Sequence, residues 1–118
     1  MTGDSVDPLR DPPVRSVETV GEAVVVRLAG ELDLYNAEDV RTALAEAASS
    51  SPARVVVDLS EVDFVDSTAL GVLVEARARV GAQRLVLAAP QLDTRRTLQV
   101  SGLDRHIAVH DTVEDALG

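Results

Sequence analysis

The chain contains no cysteine, no tryptophan and no lysine; all 11 of its basic residues are arginine. Without cysteine there is no disulfide, no thiol nucleophile and no Cys-ligated zinc. Without lysine there is no Schiff base to pyridoxal phosphate, no phosphate-loop lysine and no lysine of a protein-kinase site. Aromatic side chains are nearly missing as well, Tyr35 and Phe64 being the only two. With 20 acidic residues and a net charge of −9, that scarcity argues against base stacking and phosphate docking, so no nucleic-acid partner is expected. No apolar run approaches the ~18 residues of a membrane span, and residues 1–15 lack a signal-peptide core. A cytoplasmic protein with no membrane partner is the expectation. All-arginine, Ala/Val-rich usage points to a GC-rich bacterial genome.

What is present fits one domain of 118 residues, long enough to bury about two-thirds of its unfolded surface. Residues 1–15 carry Pro8, Pro12 and Pro13 and no apolar periodicity, the composition of a flexible N-terminal tail preceding a domain at 16–118. Residues 17–28 are β-branched around Gly21-Glu22 and predict a hairpin of two short strands. Gly30-Glu31-Leu32-Asp33 predicts a turn, and Asn36 with Asp39 resembles a capping box opening a helix to about Ala48. Buried strands are expected at 54–59 and 85–88, and a short last strand at 107–109. Helices are expected at 67–80, ending at Gly81, and at 92–100, ending at Gly102. Asp111 with Glu114 predicts a cap for a terminal helix. Alternation of this kind implies an α/β fold with crossovers and a largely parallel sheet.

The helix at 67–80 is the informative one. At about 100° per residue, Ala69, Val72, Leu73, Ala76 and Val80 share one side, which packs on the sheet. The opposite side should be charged, but the same arithmetic puts Ser67, Leu70, Gly71, Val74 and Ala78 there. Glu75, Arg77, Arg79 and Thr68 fall on the flanks. Two readings stay open: a second layer covers this face, or the face is a docking stripe for a partner protein. Small residues at Gly71 and Ala78 would admit a close approach.

Ser67 heads that stripe. A serine or aspartate at a helix start commonly caps free amides. The same position tolerates a phosphate, because unpaired N–H groups and the positive dipole end accommodate negative charge. Phosphorylation adds about −1.5 to −2 charges. At the rim of an apolar stripe, beside Asp66, that charge would be repulsive and hard to desolvate.

Val62-Asp63-Phe64-Val65-Asp66-Ser67-Thr68-Ala69-Leu70-Gly71-Val72-Leu73 resembles the signature of the anti-sigma factor antagonists, the STAS-domain proteins. Gly30-Glu31-Leu32-Asp33 upstream and Ser101-Gly102-Leu103 downstream match the same pattern in order, and the resemblance covers roughly 17–117. It implies a single STAS-like domain with a small, mixed, mostly parallel β-sheet, an N-terminal hairpin and about four helices. It also implies partner switching in transcription regulation. The unphosphorylated form would bind an anti-sigma factor that is also a serine kinase, ATP being bound by that partner, and so release a sigma factor. The kinase would phosphorylate Ser67 and a serine phosphatase would reverse it. Asp33 and Asp66 match acidic residues beside that serine; read alone, they are a turn aspartate and an N-cap. Thr68 is a second hydroxyl in reach. Where many members have glycine this chain has Ala69, on the face that packs against the sheet.

On this reading the chain is not an enzyme, and it needs no cofactor and no metal. A phosphoaspartate receiver would require a lysine. A serine hydrolase would require Gly-x-Ser-x-Gly, and Ser67 is flanked by Val65 and Ala69. His106 and His110 read as surface residues, since four residues along a strand span about 13 Å and forbid a metal pair. The alternative within the fold is a non-switching STAS scaffold or ligand-binding module in a signalling assembly. Tyr35, in the loop before the first helix, either joins the docking surface or packs on a neighbour. Arg95 and Arg96 read as a solvated basic pair that could orient an acidic partner.

Overall fold

The runs at 24–26, 55–57 and 85–87 send successive side chains to opposite faces of one sheet, so a strand covered on both sides reads as continuously apolar. The computed structural model describes residues 11–118. Its elements are β1 (Val14–Val20), β2 (Ala23–Leu32), α1 (Ala37–Ser49), β3 (Arg54–Val65), α2 (Ser67–Val80), β4 (Leu85–Ala88), α3 (Leu92–Ser101), a 3-10 turn (Leu103–Arg105), β5 (Val109–His110) and α4 (Val113–Leu117). Strand order in the sheet follows chain order. β1 is antiparallel to β2, and the remaining neighbours are parallel. The α/β class, the hairpin, the mostly parallel sheet and the four helices are as the sequence implies.

The two faces are covered unequally. Val26, Leu28, Val57, Leu59, Leu85 and Leu87 meet Val40 and Leu44 of α1, Val72 and Leu73 of α2 and Leu98 of α3 in the main core. Val25, Val56, Val86 and Ala88 look the other way, where Ala116, Val113 and Leu117 of the short α4 pack on them. No helix among the described residues is long and apolar enough to cross a membrane.

Several local expectations are corrected. The domain's first strand begins at Val14, ahead of the expected boundary at 16; of the rest of the expected tail, residues 11–13 lead into that strand and residues 1–10 lie outside the described residues. Gly30 to Leu32 do not turn. They extend β2, pairing through Gly30↔Val62 to Leu32↔Val65. Gly30 adopts φ +77° where the register with β3 shifts, so its left-handed backbone serves a bulge rather than a turn. The two register shifts also explain β3. Each adds a residue to that strand, so its inward positions become Leu59, Val62 and Val65 instead of alternating, and the strand expected at 54–59 continues to Val65.

Neither capping box forms. The Asn36 side chain points back into its own loop, Oδ1 accepting from the Asp33 N–H at 2.9 Å and Nδ2 donating to the Glu31 carbonyl at 2.8 Å. At α4 the cap is Thr112, whose hydroxyl accepts from the Asp115 N–H at 3.0 Å. Asp111 instead pairs with Arg95 at 2.8 Å, so Arg95 ties α3 to the bend before α4 and only Arg96 stays fully on the surface. The last strand starts at Val109, later than expected, because the Ile107 N–H is taken by the Leu103 carbonyl at 3.0 Å. β4 and the ends of α2 and α3 fall where expected or within a residue, α3 closing at Gly102 with φ +80°.

Candidate functional site

The site lies where β2 and β3 end and α2 begins. Asp66 is the N-cap of α2, with extended backbone and its Oδ1 accepting from the Ala69 N–H at 2.9 Å. Ser67 is therefore the first helical residue and not the cap, and its hydroxyl is left exposed. Among the described residues the Ser67 and Thr68 amides have no acceptor. Free amides and the dipole end give this spot its tolerance for an anion. Thr68 is exposed beside it.

The helical arithmetic holds along α2. Ala69, Val72, Leu73 and Ala76 are buried, and Val80 is half-buried against the same core. On the other side Gly71, Val74 and Ala78 are exposed, Val74 at 48%, while Leu70 is half-buried. Exposure of this face rules out a second layer over it among the described residues. Its charged flanks are occupied. Glu75 accepts from Arg41 of α1 at 2.8 Å and lies 3.9 Å from Arg79, and Arg77 donates to the His106 carbonyl at 2.7 Å. Hydrogen bonds to Glu75 and then Glu38 raise the Arg41 guanidinium further above its usual range. The charges on either side of the stripe are thus turned toward α1 and the 3-10 turn, and the strip between them stays apolar.

Asp33 sits in the loop leading to α1, its Oδ1 accepting from the Tyr35 N–H at 3.0 Å. Tyr35 is 82% exposed, so it packs on no neighbour. Two residues at the same end of the sheet escape sequence reasoning: Leu34, 61% exposed, and Phe64, 53% exposed and paired in register with Glu31. A leucine between Asp33 and Tyr35 in a turn was the available signal for the first. For Phe64 there was none, because a regular strand would not reveal the bulge that turns it outward.

Neither histidine stands beside Ser67. The His106 carbonyl is bonded by Arg77, ten residues along α2 and hence about 15 Å up the helix axis. His110 lies in β5, two strands from β3. No group of histidine and acidic residues able to hold a metal ion occurs among the described residues.

A Gly71→Ala substitution tests what the glycine is for. A Cβ there would meet nothing within 4 Å, and alanine in a helix interior is favoured by about 0.8–1 kcal/mol. Thermal stability is expected to rise by about 4 °C. Partner affinity, measured on the same preparation, is expected to fall because a methyl then stands on the stripe. A fall in stability would mean the glycine serves the fold.

The sequence profile of the STAS domain matches residues 14–116. The anti-sigma-F factor antagonist RsfB of Mycobacterium tuberculosis is 32% identical over 94 residues, which cover 79% of this chain and 77% of RsfB. An anti-sigma factor antagonist from Mycobacterium paratuberculosis superposes with a TM-score of 0.80 at 31% identity, over 86% of this chain and 88% of that one. SpoIIAA superposes in its unphosphorylated form with a TM-score of 0.72 at 27% identity, over 86% of this chain and 91% of its own. The phosphorylated form of Bacillus SpoIIAA gives 0.65 at 28% identity, over 86% and 95%.

Proposed function

Because the chain belongs to the STAS-domain family, we propose that it is an anti-sigma factor antagonist, docking through the exposed face of α2 and switched at Ser67. In the unphosphorylated state it binds an anti-sigma factor and so releases a sigma factor. The anti-sigma factor, acting as a serine kinase with its own ATP, places a phosphate on Ser67 and ends the contact. A serine phosphatase restores it, and the cycle runs in the cytoplasm. Leu70, Gly71, Val74 and Ala78 form the stripe, Tyr35 adds an aromatic anchor, and Asp33, Asp66 and Thr68 surround the phosphoacceptor.

One observation carries this reading. The exposed Ser67 hydroxyl stands at the first position of α2, over two amides without acceptors among the described residues and at the head of an apolar strip that none of those residues covers. The helix end accepts the phosphate locally while the strip cannot accept it at an interface, which separates cost to the fold from cost to binding.

The test is a calorimetric titration of the cognate anti-sigma factor with the chain in both phosphorylation states. Binding by the unphosphorylated chain alone is expected. Equal affinity in both states would remove the switch and leave a constitutive scaffold.

A further inference from the structure

Asp66 engages backbone amides of two separate elements with one carboxylate. Oδ1 accepts from the Ala69 N–H at 2.9 Å, which is the cap, and Oδ2 accepts from the Leu34 N–H, 32 residues upstream, at 3.1 Å. Its own N–H donates to the Leu32 carbonyl at 3.0 Å. Capping requires only one oxygen. The second reaches the turn whose tip carries Leu34 and Tyr35, two of the most exposed apolar side chains among the described residues. The shape of that turn is held from within. Asp33 Oδ1 accepts from the Tyr35 N–H, and the Asn36 side chain bridges Asp33 and Glu31. Its place beside α2 is held by Asp66.

We infer that Asp66 is a positioning residue: its second carboxylate oxygen fixes the Leu34–Tyr35 tip against the start of α2, so that tip and stripe meet a partner as one face. What the face is used for rests on the docking reading above. The tie itself rests on the two hydrogen bonds. A hydrogen bond to a charged acceptor is strong enough to matter for a short exposed turn, where little packing competes with it.

Asp66→Asn separates the cap from the tie. Asparagine caps as well as aspartate, so the fold and the Ala69 bond survive. Its amide nitrogen, however, donates and cannot accept from the Leu34 N–H. Amide exchange by NMR on the whole chain is expected to show Leu34 exchanging about tenfold faster in the variant, with Ala69 unchanged within about twofold. Tyr35 is the sole tyrosine and there is no tryptophan, so tyrosine anisotropy decay reads the tip directly and is expected to gain a nanosecond component. Leu34 protection unchanged in the variant would overturn the tie. So would loss of protection at Leu34 and Ala69 together, which marks a general weakening of the helix start. These readouts need no partner. If they come out as expected and no anti-sigma factor binds, the docking reading fails and the positioning role of Asp66 stands.

Discussion

A Ser67→Asp substitution is expected to weaken anti-sigma factor binding by about two orders of magnitude, and Ser67→Ala to leave it within about twofold. The first figure corresponds to about 2.8 kcal/mol. That is within the several kcal/mol that like-charge juxtaposition or an unpaired interfacial charge costs. The new carboxylate would stand next to Asp66, at the end of the stripe where Leu70 is half-buried and Gly71 exposed. Stability should move in the opposite sense. Negative charge in the first turn of a helix is favourable by about 0.3–1 kcal/mol, so the thermal midpoint of Ser67→Asp should hold or rise slightly. Calorimetry and thermal unfolding on the same samples therefore distinguish a docking defect from a folding defect. A variant that loses affinity and stability together would count against the switch, as would one that binds like the wild type.

The second large effect is on stability, and it depends on which face of the sheet is touched. Leu87 is fully buried in β4, between β3 and β5, and looks into the core beneath α1, α2 and α3. Leu87→Ala is expected to cost about 3–4 kcal/mol, since a site enclosed on all sides collapses poorly. In a chain of this size that lowers the thermal midpoint by about 12–16 °C. Its neighbour Val86 is 4% exposed and faces α4, a helix of five residues. Val86→Ala is expected to cost only about 1–2 kcal/mol, because fewer carbon atoms are lost and a helix of so few residues can settle inward. Urea unfolding of the two variants measures both numbers. Equal losses would mean that α4 is as rigid a cover as the three-helix layer.

Features governed by local periodicity were legible in the sequence. α2 declared both of its faces, because a fixed rotation per residue places every side chain once the helix start is known. β4 was readable as a short apolar run bounded by Arg84 on one side and Pro90 on the other. What failed depends on partners that the local sequence does not name. Asn36 and Asp111 both looked like helix caps, yet Asn36 bonds its own loop and Asp111 bonds Arg95 of another helix. Gly30 was read as part of a turn, and its left-handed backbone serves a bulge instead, because a bulge and a turn use that conformation alike. At the site, Ser67, Asp66 and the stripe could be read from sequence. Leu34, Phe64 and the bond from Asp66 to the Leu34 amide could not, since each follows from how β2 and β3 end side by side.

The strand order has a consequence for how the chain is made. Each strand pairs with the one synthesised just before it, so the sheet can be extended in the direction of translation without a strand waiting for a distant mate. By the time Gly81 has left the ribosome, the tip at Leu34–Tyr35, Ser67 and the whole stripe exist in the nascent chain. The residues that seal the core beneath them, Leu85, Leu87, Leu98, Leu103 and Ile107, follow later. The surface proposed to meet the partner is therefore complete in sequence before its support is. If that surface docks a partner as proposed, engagement at that stage would hold an unfinished domain, so the encounter would bear on how the chain is made as well as on what it does.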